Sequence, residues 1–219
     1  MLADVDARAR ELATGQVYVF LGGDNAITRP IVRGLHRGDL THVGVLTFDA
    51  HHDVRSLENG PSNGTPIRGL IQEDGLPDDR VAQMGIHSFA NSREYREWCD
   101  ERLIRIITMR EVDELGIETV VTGALEHLRD RCESIHVDFD IDVLDRAYAP
   151  ACPGSRPGGM TPRQLAQAAW LCGLDPAVRS ADIVEVDAAR DRDDVTLMNA
   201  ANVFLSFAAG VALRHAPEP

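Results

Sequence analysis

Apolar runs of strand length alternate along the chain with longer segments whose apolar residues recur at helical spacing. The apolar runs predict strands at 17–21, 43–48, 81–86, 103–107, 134–139 and 181–186. The segments between them predict helices at about 28–36, 92–102, 117–131 and 193–213, and another that begins at Thr161 and Pro162. A threonine cap followed by proline at the first helical position is a common helix start. The alternation predicts an α/β fold, a parallel sheet with helices on both faces.

Polar motifs follow four of the predicted strands at the point where each strand ends. GGDN (22–25) follows the first strand, DAHHD (49–53) the second and DFDID (138–142) the fifth, while Glu185 lies at the end of the sixth. In open parallel sheets, ligands bind beyond the carboxyl ends of the strands. We therefore expect these four groups to meet at one edge of the sheet and to form the functional site.

The two acidic motifs have the spacing of metal ligands. In an extended chain, residues two apart point the same way. This predicts one row from Asp49, His51 and Asp53, and another from Asp138, Asp140 and Asp142. Several unpaired buried carboxylates would each cost several kcal/mol without a counter-charge, which two divalent cations supply. Carboxylates with one imidazole and no thiolate suit manganese better than zinc.

Two other interpretations of these motifs were weighed. DAHHD alone is also compatible with a solvated strand end that carries a capping aspartate. DFDIDVLD invites comparison with a calcium loop, but Val143 stands where that loop needs glycine and Ala149 where it needs glutamate. The convergence of several motifs at one edge favours the metal site.

Length and charge limit the classes of protein to consider. The 219 residues suffice for one domain over 1–219 that buries most of its unfolded surface. The formal net charge is -13, which argues against nucleic acid and anionic membranes as partners, because both bind basic surfaces. The chain contains no lysine, so Schiff-base chemistry and a phosphate-loop lysine are excluded.

The cysteines and the N-terminal residues bear on the cellular compartment. The four cysteines form no CxxC pair, and we expect them to be reduced thiols. The first residues lack the basic and apolar blocks of a signal peptide, and no continuous apolar run reaches the roughly eighteen residues that a membrane span requires. These features predict a cytoplasmic protein that does not enter a membrane.

The motifs together resemble a known superfamily. GGD at 22–24, DAHHD at 49–53, DFDIDVLD with the following loop at 138–161, and VEVD at 184–187 resemble the signature blocks of the ureohydrolases, which include arginase, agmatinase and formimidoylglutamase. The stretch 49–70 is most similar to bacterial formimidoylglutamases. The resemblance implies a three-layer α/β/α sandwich with a parallel sheet and two Mn²⁺ ions per chain.

Metal ligands follow from the resemblance, position by position. It implies Asp49 and Asp140 as bridges between the ions, Asp53 at the first ion, and His51 and Asp142 at the second. Most relatives have a histidine as a further ligand of the first ion where this chain has Asn25. A neutral amide is a poorer ligand than imidazole, so with Asn25 as the further ligand we expect the first ion to be the easier one to lose.

The resemblance also implies roles in catalysis and substrate binding. A pair of ions lowers the pKa of a shared water, Asp142 then passes the proton to the departing nitrogen, and Glu185 pairs with the substrate's cationic group. Arg55 matches a substrate carboxylate, since guanidinium binds carboxylate bidentately. Asn63 stands near the position of an arginase proton-shuttling histidine, and Asn91 is a further candidate contact.

The expected activity is hydrolysis of a linear amidine, N-formimidoyl-L-glutamate, to L-glutamate and formamide in histidine degradation. One alternative is an agmatinase or another guanidino-acid ureohydrolase, which would release urea. Arg55 disfavours agmatine, because the far end of agmatine is a cation. Another alternative is an inactive metal-binding relative, which Asn25 and Asn63 favour.

The N-terminal region departs from the superfamily pattern. Relatives usually carry two strands and their helices ahead of GGD, so those edge strands are expected to be missing here. The strand at 17–21 is then an edge, and an open edge invites pairing with another chain. We expect residues 1–15 or a second subunit to cover it, and hence a homo-oligomer.

Overall fold

The computed structural model describes residues 1–12 and 15–214. Its strands are β1 (Tyr18–Leu21), β2 (Val43–Phe48), β3 (Val81–Ile86), β4 (Arg105–Thr108), β5 (Ser134–Asp140) and β6 (Val178–Val184). Its α-helices are α1 (Leu2–Arg10), α2 (Thr28–Leu35), α3 (Pro66–Gln72), α4 (Arg93–Glu101), α5 (Met109–Leu115), α6 (Ile117–Arg129), α7 (Pro162–Leu174) and α8 (Val195–Arg214). All strands run parallel in one sheet of order β1-β6-β5-β2-β3-β4.

The predicted elements are present, with shifts at their ends. β4 begins two residues later than expected and β6 three residues earlier. Thr161 caps α7 by accepting a hydrogen bond from the backbone of Gln164, as its sequence predicts. Helices α1, α3 and α5 were not predicted. α3 and α5 have seven residues each and α1 has nine.

Helices cover both faces of the sheet, which confirms the three-layer sandwich. Alternate residues of β2 divide between two apolar cores: Val43 and Val45 pack with α2, α3 and α4, whereas Leu46 and Phe48 pack with α5 to α8. Because helices cover both faces of the sheet, all six residues of β2 are buried, as expected for a central parallel strand.

A row of polar residues interrupts the face of the sheet that α2 covers. Thr47 of β2, Asp138 of β5 and Asp182 of β6 are direct neighbours in register. All are buried, and His136 of β5 lies one step below them on the same face. The functional edge of the sheet therefore rests on a buried polar layer.

Helix α8 is the most apolar element of the described residues. Its 20 residues reach a mean hydropathy of 1.5, so by length and composition it is comparable to a membrane span. Its buried residues Val203, Phe207 and Gly210 face α7. The core helix of a soluble protein passes the same test, but only 22% of the α8 window is buried, on the side that contacts α7.

Strand β1 lies at an edge of the described sheet, as expected for 17–21. Its last residue, Leu21, is 73% exposed. Helix α1 packs against α2, and Arg33 of α2 donates to Asp6 of α1 at 2.8 Å. Residues 13 and 14, within the segment expected to cover this edge, lie outside the described residues. Cover by a second subunit stays a prediction.

Candidate metal centre

A tight turn follows β2 and places its polar residues. The Asp49 N–H donates to the Met84 carbonyl at 3.0 Å, and Asp49 Oδ1 accepts from the His51 N–H at 2.6 Å. Asp53 has a φ of 54°, a left-handed conformation. Residues 49–53 are therefore not extended as expected. The turn, rather than strand alternation, directs Asp49, His51 and Asp53 to one side.

The end of β5 turns in a similar way. Asp140 Oδ1 accepts from the Asp142 N–H at 2.8 Å and caps a 3-10 turn over Ile141–Val143. Asp142 Oδ1 accepts from the Ala50 N–H at 3.0 Å and so joins the two acidic motifs. Gly154 leaves room for the Asp142 side chain, because a Cβ at position 154 would lie 2.2 Å from Asp142 Oδ2.

His51 completes a compact cluster of ligand atoms. Its Nδ1 lies 2.7 Å from Asp142 Oδ2 and 3.4 Å from Asp49 Oδ1. One ligand atom from each of these three residues lies within 4.8 Å of the others. Asp140 is buried and Asp53 is half-buried, and neither forms an ion pair with an arginine or histidine within the described ranges.

The pKa values of these groups show uncompensated negative charge. Burial and the nearby Asp142 raise the pKa of Asp49 to about 7. Burial and neighbouring carboxylates also raise the pKa values of Asp53 and Asp140 well above their usual range. Burial alone would lower the pKa of His51, but hydrogen bonds to Asp142 and Asp49 raise it to about 11.

Asp142 is the exception among the buried carboxylates. Burial opposes its ionisation, yet the hydrogen bond from His51 holds its pKa below the usual range. A cluster of four carboxylates and one imidazole, with one internal cation, fits divalent cations by both charge and donor type.

Asn25 and Glu185 meet at the GGDN turn. Asn25 Nδ2 donates to Asp53 Oδ2 at 2.7 Å, and the Asn25 backbone N–H donates to Glu185 Oε1 at 2.9 Å. Asn63 Nδ2 reaches the same glutamate oxygen at 3.4 Å. Burial raises the pKa of Glu185, although the Asn25 N–H opposes the shift. Asn25 thus contacts Asp53 through its amide N–H.

A cavity of about 230 Å³ opens over this cluster. Its lining residues are His51, Asp53, Arg55, Asn63, Gly64, Asp140, Asp142, Pro153, Gly154, Arg156 and Glu185. Arg55 packs over Gly64, where a Cβ would lie 2.5 Å from Arg55 Cδ. Neither Arg55 nor Arg156 forms an ion pair with a carboxylate of the described residues, although the Arg55 charge acts on Asp53, and both exposed arginines line the cavity.

Two predicted residues lie behind the cavity. Asn91 accepts from the His52 N–H at 2.9 Å and donates to the Ala50 carbonyl at 3.0 Å, so it braces the 49–53 turn. Asp138 is buried one layer below, and neither of its carboxylate oxygens has a hydrogen-bond partner in the described part of the chain. A direct substrate contact by Asn91 stays a prediction.

Thr28 and Asp182 also contribute polar groups beneath the site, and sequence reasoning did not select them. Both are fully buried, and their side chains are 2.8 Å apart. Asp182 leaves a signal in the sequence, because it is a carboxylate within an otherwise largely apolar strand.

The fold is a parallel α/β/α sandwich, and carboxylates and an imidazole lie together at the carboxyl edge of its sheet. These residues form a candidate metal centre. A family model described as the arginase family matches residues 2–210. The chain belongs to the arginase family.

Formimidoylglutamases are among its relatives. It is 39% identical over 197 residues to the enzyme of Halalkalibacterium halodurans, covering 90% of this chain and 61% of the relative. It is 36% identical over 198 residues to that of Bacillus subtilis, covering 90% and 62%. The chain thus spans about three fifths of the length of these relatives.

Solved structures agree with the fold. The formimidoylglutamase from Bacillus subtilis subsp. subtilis str. 168 superposes with a TM-score of 0.91 at 32% identity, covering 98% of this chain and 67% of the other. A Trypanosoma cruzi formiminoglutamase solved with Mn²⁺ gives a TM-score of 0.90 at 22% identity, covering 97% and 71%. At that identity the second likeness shows the fold alone.

Proposed function

We propose that this protein is a binuclear manganese hydrolase that cleaves a C–N bond of a linear amidine, N-formimidoyl-L-glutamate, to give L-glutamate and formamide. The observation that carries the proposal is the cluster of three buried carboxylates, a half-buried fourth and one imidazole beneath a cavity lined by two arginines. The formimidoylglutamase relatives support the same substrate.

The proposed ligands are Asp49 and Asp140 between the ions, Asp53 at the first ion, and His51 and Asp142 at the second. When bound, two divalent ions lower the pKa of a shared water toward 7 and so provide a hydroxide nucleophile. Manganese is proposed because the donors are oxygen atoms and one imidazole, without sulfur.

Asp142 is the proposed proton carrier. Its Oδ2 lies at the cavity wall beside Gly154 and 2.7 Å from His51 Nδ1. Its Oδ1 is held by the Ala50 N–H. The carboxylate is therefore fixed in position, with one oxygen directed toward the cavity, where it takes a proton and delivers it to the departing nitrogen.

Glu185 is the proposed partner of the substrate's amidinium group. Its Oε1 is occupied by the Asn25 N–H and by Asn63, whereas Oε2 accepts no hydrogen bond from the described residues. Its φ of 67° directs the residue away from the line of β6. A cationic amidine can donate to the free oxygen in a charge-assisted hydrogen bond.

Arg55 and Arg156 favour a substrate with carboxylates at its far end. In a protein of net charge -13, an anionic substrate is repelled at long range, so capture depends on local arginines. Two arginines that line the cavity without an ion-pair partner among the described residues fit the two carboxylates of formimidoyl-glutamate. They would repel the distal ammonium of agmatine.

The proposed setting is histidine degradation in the cytoplasm, with a homo-oligomer as the working form. The exposed end of β1 supports the oligomer, since an open strand edge tends to pair. Size-exclusion chromatography with light scattering tests it, and a monodisperse monomer would argue against it.

A product assay tests the activity. The protein is loaded with Mn²⁺, desalted and incubated separately with formimidoyl-glutamate, arginine, agmatine and guanidinobutyrate, and formamide and urea are quantified. We expect formamide from formimidoyl-glutamate and little urea from the others. Urea release from a guanidino acid would instead indicate a ureohydrolase. No turnover, with less than one ion bound per chain, would indicate an inactive relative.

A further inference from the structure

A continuous buried chain of polar contacts runs from the middle of the sheet to the metal cluster. Asp182 Oδ2, on β6, lies 2.8 Å from the Thr28 hydroxyl. The same hydroxyl lies 2.6 Å from Asn25 Oδ1, and Asn25 Nδ2 donates to Asp53 Oδ2 at 2.7 Å. We call Asp182, Thr28, Asn25 and Asp53 the buried relay.

Water does not reach the inner part of this relay. Thr28 and Asp182 are 0% exposed and Asn25 is 1% exposed. His136 Nε2 lies 3.4 Å from Asp182 Oδ2, and His136 Nδ1 is 2.8 Å from Ser180 Oγ. The inner end of the relay is thus attached to the sheet, and buried groups without water keep the partners that the protein provides.

The Thr28 hydroxyl determines which end of the Asn25 amide faces Asp53. The hydroxyl carries one proton, so a hydrogen bond to the amide oxygen at 2.6 Å leaves the hydroxyl oxygen to accept from the Asp182 carboxyl at 2.8 Å, and the amide oxygen is then occupied on the inner side. The amide N–H groups then face outward, where the Asp53 carboxylate accepts one of them. If the amide turned over, its oxygen would face a carboxylate oxygen at hydrogen-bond distance, which is repulsive unless a cation lies between them.

We propose that Thr28 and Asp182 are positioning residues for manganese, which act through Asn25 by holding Asp53 in its ligand orientation. The proposal rests on the proposed function, because it assumes Asp53 as a ligand of the first ion. Residues that hydrogen-bond to metal ligands fix ligand orientation, and their loss commonly costs about 10- to 100-fold in metal affinity. Thr28 and Asp182 touch no metal ligand themselves.

Manganese titration of single variants tests the relay. Free Mn²⁺ is followed by electron paramagnetic resonance, and affinities by calorimetry, for the wild type, Thr28→Ser and Thr28→Val. Valine has the shape of threonine without the hydroxyl, and serine keeps the hydroxyl. We expect Thr28→Val to weaken one of the two ions measurably, but by no more than Asn25→Ala does, for which about 10- to 100-fold is expected, and to leave the other ion unchanged. Thr28→Ser should bind both ions like the wild type.

A double-mutant cycle separates the relay from simple packing. Asn25→Ala should weaken the same ion, and adding Thr28→Val should then change its affinity less than twofold. Thermal unfolding of the metal-free variants reports whether each is folded. Thr28→Ala, which introduces no extra volume, replaces valine if the valine variant unfolds.

Four results would overturn the proposal, and the first three concern affinity losses. One is wild-type manganese affinity at both ions in the folded variant that lacks the hydroxyl. Another is an equal loss of affinity in Thr28→Ser and Thr28→Val. The third is that Thr28→Val lowers the affinity as much in the Asn25→Ala background as in the wild type. Tighter binding in Thr28→Val would also overturn it and would indicate Asn25 oxygen as a ligand. If the wild type itself binds no manganese, the proposed function fails instead.

Discussion

His51 Nδ1 lies 2.7 Å from Asp142 Oδ2, so these two expected ligands of one ion form an ion pair with each other. The pair accounts for both shifts, a pKa of about 11 for His51 and a lowered pKa for Asp142. A metal ion binds neutral imidazole and carboxylate. A metal ion that binds His51 through Nδ1 would therefore displace the proton of this pair.

Manganese binding should release protons at pH 7. His51 contributes about one proton, and Asp49, with a pKa of about 7, contributes a fraction of another. Calorimetry in buffers of different ionisation enthalpy measures the number released, and the affinity for manganese should rise with pH. His51→Asn should release about one proton fewer than the wild type. A binding enthalpy that does not vary with the buffer would contradict this mechanism.

The metal-free protein should lose stability as pH rises. The pKa of Asp49 is raised from 3.8 to about 7 by burial, and that of His51 from 6.5 to about 11 by its carboxylate partners. Between its unfolded-state and folded-state pKa values, each group holds more protons in the folded protein than in the unfolded one. Stability therefore falls from about pH 4 to pH 11. Thermal unfolding of the metal-free protein at pH 6 and pH 9 measures the difference, which manganese loading should reduce or reverse.

Asp142→Asn should remove most of the activity. It takes away a metal-ligand charge, the partner of His51 and the proposed proton carrier, so we expect a loss in kcat of at least about 100-fold. Initial rates at saturating manganese and substrate measure it. Asp130→Asn, at an exposed position after α6, is the control and should keep wild-type rates. Comparable rates in both variants would rule out the assigned role.

Arg55→Gln should weaken substrate binding without changing manganese content. Loss of a hydrogen-bonded charge partner costs about 1.5–3 kcal/mol, which corresponds to a rise in KM of about 10- to 100-fold for formimidoyl-glutamate. Lysine should not restore the wild-type KM, because it lacks the bidentate geometry. Arg163→Gln, at an exposed position in α7, is the control. An unchanged KM in Arg55→Gln would place the substrate carboxylates elsewhere.

The sheet was predictable because its strands are continuous apolar runs. Buried parallel strands such as β2 carry apolar side chains on both faces, and that pattern needs no tertiary information. The early start of β6 was missed because Arg179 and Ser180 interrupt its apolar pattern. Ser180 is buried beside His136, which comes from a distant part of the chain.

The metal cluster was predictable as a set of residues but not in its geometry. Motif spacing identified Asp49, His51 and Asp142, which the structure brings together. Strand alternation gave the wrong local geometry, because side-chain caps by Asp49 and Asp140 turn both segments as soon as their strands end. Such contacts depend on which residue reaches which backbone N–H, and sequence spacing does not specify this.

The contact between α7 and α8 gives a prediction for stability that is independent of the metal centre. A Cβ on Gly173 would lie 2.2 Å from the Phe207 carbonyl oxygen, and one on Gly210 would lie 2.4 Å from the Trp170 carbonyl oxygen. The two helix backbones therefore touch, and neither glycine tolerates a side chain without moving a helix. Gly173→Ala should lower the free energy of unfolding by about 1–3 kcal/mol.

Gly123→Ala in α6 is the matched control, because its Cβ would approach only Arg105 Nη2, at 3.3 Å, the end of a flexible side chain. Alanine has the higher helix propensity, so this variant should be as stable as the wild type or more stable by up to about 1 kcal/mol. Urea unfolding of both variants measures the difference. Equal stabilities for the two alanine variants would mean that α7 and α8 do not pack backbone to backbone, since propensity alone favours alanine at both positions.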